Sequence, residues 1–395
     1  MKDNNSTIKV LSVQPDDIII GGVQIRSISI AKELNKKYNI QTSFLVAKEK
    51  DIGPFSKIAI IENYNIYYYN GVSRPGNIKS FKGILKNIKW LLLLPFSISS
   101  AYKQIRASNC QIIHINGLLN IAVLIASLIS RKKTIYHLIG DHYPLFLIKS
   151  LRPFMKLPSK LVFIAEKLSQ YYLGNKTIDY DIIYEPITRS TINLADKEKD
   201  KIKSELGIPL DSIIIGSIGN ITPAKDWLTF IEVAKMLDKN KTENNFFFLI
   251  VGSISKNHLD YYESLREVII QNKLEKYFLF TGYRDDIEII INIFDIFLLT
   301  SINEGTPIVI LEAMNAKIPI VSSDVGGIKE QIIHNKTGLL CEKSKINEYY
   351  LAVLYLIENP KITDRMTSEG HKLLKSTFSI EECTIKHYTL YKNLV

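Results

Sequence analysis

Short, solidly apolar segments alternate with longer amphipathic segments along the second half of the chain. The apolar segments are rich in β-branched and aromatic residues, which is typical of strands buried on both faces of a parallel sheet. They lie at residues 213–218, 246–251, 277–281, 296–300 and 318–322. Amphipathic segments of helical length separate them, near residues 226–239, 259–273, 285–293 and 307–316. This alternation predicts a doubly wound α/β domain.

The first half repeats the pattern less regularly. Its predicted strands lie at residues 8–13, 41–46, 66–69, 111–115, 133–139, 160–164 and 181–184. Its predicted helices lie at residues 23–37, 81–107, 117–131 and 165–173. A polar stretch from Glu185 to Lys203, which opens on Glu185-Pro186, is typical of a domain junction. We therefore predict an N-terminal domain over residues 1–185, a C-terminal domain over 186–377, and an amphipathic helix at 378–395 that packs back on the first domain.

The composition fits a globular protein large enough for two domains. The chain has 395 residues, of which 46% are hydrophobic and 23% charged. Its start lacks the apolar segment of a signal peptide, and its uncharged stretches are too short to span a bilayer. Cys110, Cys341 and Cys383 lie far apart in the sequence, which suits a reducing compartment and offers no disulfide framework. We expect a cytoplasmic protein without a transmembrane span.

Positive charge is concentrated in the first half. The net charge is +10, but residues 1–187 hold 25 Lys and Arg against 12 Asp and Glu, whereas the remainder holds 25 against 28. This asymmetry indicates an anionic partner, such as a membrane surface, a phosphorylated substrate or a nucleic acid. Basic and apolar residues are mixed over residues 81–92 and 149–156, as in helices that lie on membranes. A core-facing helix with a solvated lysine side is the alternative.

The most informative segment follows the fourth apolar run of the second half and reads EGTPIVILEAM over residues 304–314. Thr306 is a suitable N-cap and Pro307 suits the first helical turn. A helix that begins here directs unpaired N–H groups and a positive dipole end at a bound anion. Glu304 precedes this helix and Glu312 lies about five residues into it, so the two carboxylates can bracket a diphosphate and bind hydroxyl groups. The alternative is a loop acid and a solvated helix face.

This segment resembles the E-x7-E signature of the family-4 retaining glycosyltransferases, which have the GT-B fold. The sequences KIPIVSSDVGGIKE at 317–330 and NKTGLL at 335–340 also resemble that family, and the likeness extends more weakly over the first half. The resemblance implies two Rossmann-like domains whose parallel sheets face a central cleft. It also implies that Glu304 binds hydroxyl groups of the donor sugar and Glu312 the ribose. The backbone of the intervening turn is expected to receive sugar and phosphate oxygens at Gly305, Thr306, Pro307, Ile308 and Val309.

A second segment of the same family pattern follows the predicted strand at 213–218. The family usually has Gly-Arg-x-x-x-x-Lys-Gly here, in which the Arg and Lys neutralise the pyrophosphate. Lys225 fits this role, whereas Asn220 stands in place of the Arg and Asp226 in place of the last Gly. Loss of the guanidinium removes one strong charge-assisted hydrogen bond. Either another cation assists Lys225 and Asn220 in holding the diphosphate, or the activity is altered.

Three further donor contacts follow from the resemblance. Gly22, in the Gly21-Gly22 pair that opens the first predicted helix, is expected to bring an amide near the β-phosphate of the donor. Arg284 is expected near the nucleotide base, in the turn that begins with Gly282. Gly252, which follows the apolar run at 246–251, is expected to border the same pocket.

The resemblance also implies that His137, near the end of the predicted strand at 133–139, lies against the donor sugar at the edge of the cleft. A histidine buried in the core is the alternative reading of this pattern. Asp141 and His142 are weaker candidates. We expect His137, Glu304 and Lys225 to contribute to catalysis.

The sequence predicts an enzyme that needs neither a metal nor a cofactor. Asp179-Tyr180-Asp181 is a literal DxD, the metal-binding triplet of the other large glycosyltransferase fold, but it precedes the domain junction and is interpreted as a chance match. Helix-terminal N–H groups and Lys225 can neutralise a diphosphate without Mg²⁺. The family precedent is transfer with retention of configuration, in which the leaving phosphate accepts the proton of the acceptor.

The function predicted from the sequence is transfer of a sugar, expected to be a hexose, from a UDP- or GDP-linked donor. The expected acceptor is a glycan or a polyprenyl-diphosphate-linked glycan in bacterial-type surface polysaccharide synthesis, with the basic half docked on the inner face of the membrane. A non-catalytic sugar-nucleotide-binding protein is one alternative, supported by Asn220, and a nucleotide-sugar epimerase of the same fold is another. No recognition motif for nucleic acid is present in the sequence.

Overall fold

The structure, a computed structural model, describes residues 7–14, 17, 22–49, 51–71, 81–140, 143, 145–189, 192, 194–239 and 245–395. The chain divides into two compact units. The first unit comprises Met1–Thr188 together with Ser379–Val395, and the second comprises Arg189–Phe378. Within the described residues, no helix has both the length and the apolar character that are needed to cross a bilayer.

The first unit is built on a parallel sheet of seven strands. The strands are β1 (Ile8–Val13), β2 (Ile40–Ala47), β3 (Ile66–Tyr69), β4 (Ile112–Asn116), β5 (Lys133–Leu138), β6 (Lys160–Phe163) and β7 (Tyr180–Ile182). Their order in the sheet is β3-β2-β1-β4-β5-β6-β7. The helices are α1 (Gly22–Tyr38), α2 (Pro54–Ile61), α3 (Phe81–Ala107), α4 (Ile121–Ile129), α5 (Leu145–Leu151) and α6 (Glu166–Leu173). All five residues of β4 are buried, as expected for a central parallel strand covered on both faces.

The second unit contains a parallel sheet of six strands. These are β8 (Ile213–Ile218), β9 (Phe246–Val251), β10 (Phe278–Gly282), β11 (Ile296–Leu299), β12 (Ile320–Ser323) and β13 (Leu339–Cys341), in the order β10-β9-β8-β11-β12-β13. Its helices are α7 (Asp196–Glu205), α8 (Trp227–Lys239), α9 (Leu259–Gln271), α10 (Ile287–Ile290), α11 (Ile308–Asn315), α12 (Ile328–Gln331), α13 (Ile346–Glu358) and α14 (Pro360–Thr377). Since β8 and β11 are neighbours, the loops that follow them lie side by side at one edge of the sheet.

The C-terminal helix, α15 (Ile380–Leu394), belongs to the first unit and packs on α1. Ser379 caps it, because the Ser379 hydroxyl accepts a hydrogen bond from the Glu382 N–H at 3.1 Å. The rings of Tyr38 and Tyr388 stack with their centroids 4.0 Å apart. Cys383 of α15 is buried in the same apolar cluster as residues of β1 and α1, so the helix completes the core of this unit.

Three buried histidines join α15 to the sheet. His114 of β4 lies between the Tyr391 hydroxyl, 2.7 Å from its Nδ1, and His137 of β5, whose Nδ1 is 3.1 Å from its Nε2. His387 donates from its Nδ1 to the Cys383 carbonyl oxygen at 2.8 Å. Burial lowers the pKa of all three imidazoles, that of His387 to about 4. The cluster is therefore neutral at neutral pH and holds α15 through uncharged hydrogen bonds.

Glu185, at the start of the predicted junction, is part of the first unit. Its carboxylate is ion-paired with Arg26 of α1, and Arg26 also donates to the Asn116 side-chain oxygen at 2.9 Å. Burial raises the pKa of Glu185, and Arg26 opposes that shift. The polar sequence after Glu185 gave no sign of this pairing, because Arg26 precedes it by 159 residues.

The predicted strands lie within two residues of the observed ones, but several elements were not predicted. These are β13, α2, α5, α7, α12, α13 and α14. The helix α7 occupies part of the stretch interpreted as a junction, and none of its residues is buried. The Glu198 side chain accepts a hydrogen bond from the Ala195 N–H at 2.8 Å and so stabilises the first turn. A helix that is polar on all sides has no apolar periodicity by which to recognise it.

We predict that acid loosens α15. The pKa of His387 is about 4 in the folded chain and about 6.5 when unfolded. The opened state therefore binds more protons, and the protection of α15 falls as the pH drops from about 6.5 towards 4. Hydrogen–deuterium exchange of α15 peptides, corrected for intrinsic rates, should show this loss between pH 7 and pH 5.

The variant His387→Gln removes one of the three buried imidazoles and should reduce this pH dependence. His258→Gln, in the second unit, is the matched control and should behave as the wild type does. Equal loss of protection in His387→Gln and wild type would contradict the assignment of the effect to this imidazole.

Candidate functional site

The turn between β11 and α11 is fixed by backbone contacts. Pro307 occupies the N-cap position with φ −68° and ψ 120°, and its carbonyl oxygen accepts the Ile310 N–H at 3.2 Å. The helix therefore begins at Ile308, and the prediction of Thr306 as N-cap was wrong by one residue, because the first helical hydrogen bond starts from Pro307. The Gln331 side chain also donates to the Pro307 carbonyl oxygen. The N–H groups of Ile308 and Val309 precede this first helical hydrogen bond, which leaves them for a ligand.

Two glycines from the loop after β12 pack directly on this turn. The Gly327 N–H donates to the Gly305 carbonyl oxygen at 2.7 Å. A Cβ on Gly326 would lie 1.6 Å from the Glu304 carbonyl oxygen, and Gly326 has φ +59°. On Gly305 itself an added Cβ would meet nothing within 4 Å. The glycine pair thus holds the backbone of Glu304 in place and leaves open space beside Gly305.

Lys225 and Glu304 form an ion pair at the edge of the sheet. The Lys225 Nζ lies 2.6 Å from the Glu304 Oε1, and the Ser301 hydroxyl donates to the same oxygen at 2.6 Å. The Thr300 hydroxyl donates to the Lys225 carbonyl oxygen, and the Ile302 N–H to the Ala224 carbonyl oxygen. Both side chains are largely buried, with 20% and 12% of their surfaces exposed. The structure therefore brings together a cation and a carboxylate that were assigned separately to the diphosphate and the sugar.

Asp226, at the position where the related family has glycine, has a structural role. Its backbone is left-handed, with φ 49° and ψ 52°, a conformation that is unfavourable for most residues but tolerated by Asp. Its carboxylate accepts hydrogen bonds from the Thr229 hydroxyl at 2.7 Å and the Ser344 hydroxyl at 2.9 Å. Asn220 is exposed, and its carbonyl oxygen accepts the Trp227 indole N–H at 3.3 Å. The turn that carries Lys225 thus keeps its shape without the glycine.

Gly252 and Arg284 lie at neighbouring strand ends of the same sheet. A Cβ on Gly252 would lie 1.9 Å from the Gly219 carbonyl oxygen, and the Gly252 N–H donates to the Gly282 carbonyl oxygen at 3.0 Å. Glycine is needed here because β8 and β9 approach closely at their ends. Arg284 donates to both carboxylate oxygens of Asp286, at 2.8 and 2.5 Å, which lowers the pKa of Asp286. The contact of Arg284 with a nucleotide base stays a prediction.

Glu312 is the fifth residue of α11 and is nearly buried. The Arg189 guanidinium lies 3.3 Å from its Oε1. Burial raises the pKa of Glu312 to about 7, while Arg189 lowers it and Glu288 raises it. Arg189 could not be predicted from the sequence because it lies in a polar stretch without a motif or a periodic pattern.

In the first unit the structure describes two of the predicted residues, Gly22 and His137. Gly22 is the first residue of α1. His137 is fully buried within the histidine cluster, so its placement at an accessible sheet edge is not supported; the apolar pattern of β5 did not reveal which face the ring occupies. Gly21, Asp141 and His142 lie outside the described residues.

The DxD triplet has a structural partner in the same unit. Asp179 and Asp181 both pair with Lys160, at 2.7 and 3.2 Å. Both carboxylates therefore lie beside a lysine of the neighbouring strand β6.

The second unit is similar in sequence to known glycosyltransferases. Residues 198–373 match the family described as Glycosyl transferases group 1. The chain is 29% identical over 199 residues to UDP-Gal:alpha-D-GlcNAc-diphosphoundecaprenol alpha-1,3-galactosyltransferase of Escherichia coli, covering 50% of this chain and 49% of that protein. It is 25% identical over 199 residues to N-acetyl-alpha-D-glucosaminyl L-malate synthase of Bacillus anthracis, covering 50% of each. The matches thus span about half the length of these relatives.

Solved structures extend the likeness of fold to both units. A glycosyltransferase from Rickettsia africae ESF-5 has a TM-score of 0.78 at 20% identity, over 98% of each chain. The Anabaena protein HepE, in complex with UDP and glucose, has a TM-score of 0.75 at 19% identity, over 98% of this chain and 100% of that one. The predicted GT-B fold is confirmed. The match to the glycosyl transferases group 1 family, over residues 198–373, lies wholly within the second unit.

Proposed function

We propose that the chain is a retaining, metal-independent glycosyltransferase that moves a hexose from a UDP- or GDP-linked donor to a glycan or polyprenyl-diphosphate-linked acceptor. The observation that carries the proposal is the pairing of Lys225 with Glu304 beside the N-terminus of α11. The ammonium group and the helix-terminal N–H groups suit a diphosphate. The adjacent carboxylate suits the hydroxyl groups of a sugar, and such a site neutralises the donor without a metal ion.

The names of the related proteins support the classes of donor and acceptor. The E. coli relative is named for a UDP-linked galactose donor and a diphosphoundecaprenol-linked acceptor. HepE has been solved with UDP-glucose. A UDP-linked hexose is therefore the first donor to test, followed by a GDP-linked one.

The proposed mechanism depends on stabilising the leaving diphosphate. As the glycosidic bond breaks, negative charge grows on the β-phosphate, and Lys225 with the first N–H groups of α11 stabilises it. Glu304 is held by Lys225 and Ser301, which suits an anchor for sugar hydroxyls more than a nucleophile. The leaving phosphate then accepts the proton of the attacking hydroxyl on the same face, which gives retention. His137 is left out of this mechanism because it is buried.

A non-catalytic sugar-nucleotide-binding protein is the second candidate, and the exposed Asn220 in place of an arginine favours it. Such a protein would bind the nucleotide sugar through Lys225 and α11 without cleaving it. Measuring nucleotide release separates the two candidates.

We expect the wild type to release UDP or GDP from a nucleotide sugar in buffer containing EDTA, slowly alone and faster with acceptor. Glu304→Gln should lower kcat/KM about 100-fold, because it removes the charge that binds the sugar and orients Lys225. A coupled assay for free nucleotide measures both. Glu342→Gln, an exposed carboxylate of the same unit, is the control and should keep wild-type activity. Binding without release would favour the second candidate, and full activity of Glu304→Gln would contradict the proposed site.

The loop after β12, which contains Gly326 and Gly327, provides an independent test of where the donor binds. Gly326→Ala should weaken UDP-glucose binding at least tenfold, because its Cβ would push the Glu304 backbone away. Gly207→Ala is the matched control: Gly207 has φ +69°, but an added Cβ there meets nothing within 4 Å. It should cost only about 1 kcal/mol of stability and leave binding unchanged. Isothermal titration calorimetry and thermal unfolding measure the two effects. Wild-type affinity in Gly326→Ala would place the donor elsewhere.

We also propose that α3 docks the first unit on an anionic membrane. Ile88, Leu92 and Phe96 are spaced four residues apart, on one helical face, and are 49%, 71% and 72% exposed. Lys82, Lys86 and Lys89 lie in the same helix, but their side chains are outside the described residues. Exposed apolar residues in a basic helix suit the interface of an anionic bilayer. Phe154 and Leu157 are further exposed apolar residues of this unit.

Vesicle co-sedimentation tests this surface. The double variant Leu92→Ser, Phe96→Ser should bind vesicles containing phosphatidylglycerol at least tenfold more weakly than wild type, because each side chain contributes about 1.5–3 kcal/mol when buried. Ile60→Ser, Ile61→Ser is the control, since these residues are also exposed in the same unit but lie on α2. Binding should weaken with salt and in Lys82→Glu, Lys86→Glu, Lys89→Glu. Equal binding by both double variants would contradict this surface.

A further inference from the structure

Arg189, the first residue of the second unit, lies between two carboxylates. Its Nη1 is 3.3 Å from the Glu312 Oε1 and 3.7 Å from the Glu288 Oε2. The Asn315 side chain donates to the Arg189 carbonyl oxygen at 3.4 Å. Arg189 is therefore attached to α11 through both its guanidinium and its backbone. Its side chain is 43% exposed, whereas that of Glu312 is 9% exposed.

We propose that Arg189 is a positioning residue that favours the ionised form of the Glu312 carboxylate and orients it for the ribose hydroxyls of the donor. This inference rests on the proposed function, in which Glu312 binds the ribose. It assigns a role to a residue that precedes the glycosyltransferase domain match at residues 198–373.

Burying a carboxylate costs free energy, because the charged form loses its hydration. A nearly buried acid becomes neutral unless a cation or several donors hold it charged. The N-terminus of α11 contributes little, because Glu312 lies beyond the first turn, where the helix dipole acts most strongly. The pKa of Glu312 is raised to about 7 by burial, with Arg189 opposing this shift. Without Arg189, the carboxyl group would be mostly protonated at neutral pH.

The charged groups around Glu312 have distinct effects. Arg189 favours the ionised form, and Glu288 of α10 opposes it by repulsion. From α14, which packs on α11, His371 bonds the Met314 carbonyl oxygen. The strand β12, which also contacts α11, contains no charged residue. Arg189 and Glu288 are thus the two groups whose removal should move the titration of Glu312, and they should move it in opposite directions.

Ionisation matters because a carboxylate accepts hydrogen bonds on both oxygens, whereas a protonated carboxyl must donate from one of them. The two ribose hydroxyls need acceptors. Donor affinity should therefore rise with pH through the pKa of Glu312, with its midpoint near 7 in the wild type.

Titration calorimetry with UDP-glucose from pH 5.5 to pH 8.5 tests the inference, since the esterified diphosphate does not titrate in this range. Arg189→Gln should move the midpoint up by at least one pH unit and lower the affinity at pH 7 about fivefold. Glu288→Gln should move it down. Arg189→Lys should restore most of the wild-type profile, because the charge is kept. Arg266→Gln, a surface arginine paired with Glu263, should leave the profile unchanged.

The outcomes separate this inference from the proposed function. If the wild type binds neither UDP-glucose nor GDP-mannose, the proposed function fails, and the inference with it. If UDP-glucose binds and Arg189→Gln shows the wild-type midpoint, the inference alone is overturned. A lower melting temperature in Arg189→Gln with an unmoved midpoint indicates a merely structural residue and likewise overturns it.

Discussion

The contact on which the second unit's site depends is the ion pair between Lys225 and Glu304. The residues are 79 positions apart in the chain, yet a parallel sheet places the carboxyl ends of β8 and β11 at the same edge. The pair satisfies both charges without a ligand. It also keeps each group close to the position in which a nucleotide sugar would need it. Binding then exchanges one set of charge-assisted bonds for another, and no charged group has to be buried alone.

Close contacts between backbone segments fix the positions of Lys225 and Glu304. Gly252 brings β9 against the turn after β8, and Gly326 brings the loop after β12 against Glu304. Each contact is too short for a Cβ, so the loops are located by backbone atoms. Backbone contacts have fewer degrees of freedom than side-chain contacts, which suits a site whose function depends on orienting a donor. Asp226 shows that one glycine of the related family's pattern is replaceable, because its carboxylate bonds Thr229 and Ser344.

Most of the fold was predictable from the sequence because central parallel strands are buried on both faces and therefore appear as continuous apolar runs. The same property made His137 difficult to place: a strand buried on both faces does not reveal which face a side chain occupies. The short edge strand β13 and the polar helix α7 lack a periodic apolar pattern. Lys225 and Glu304 could be identified because they belong to motifs. Arg189 and Glu185 could not, because their partners are distant in sequence and neither lies in a recognisable pattern.

The distribution of cations bears on how the proposed site would distinguish a nucleotide sugar from a free nucleotide. Arg284 is bound to Asp286, and Arg189 lies beside Glu312 and Glu288. With Asn220 in place of an arginine, Lys225 is the principal side-chain charge assigned to the diphosphate. A free nucleoside diphosphate that draws Lys225 away leaves Glu304 with Ser301 as its remaining hydrogen-bond partner, which is costly for a mostly buried carboxylate. A nucleotide sugar replaces that lost contact with its own hydroxyls. Under the proposed function, the ion pair would therefore favour the intact donor over the nucleotide product and would promote release after transfer.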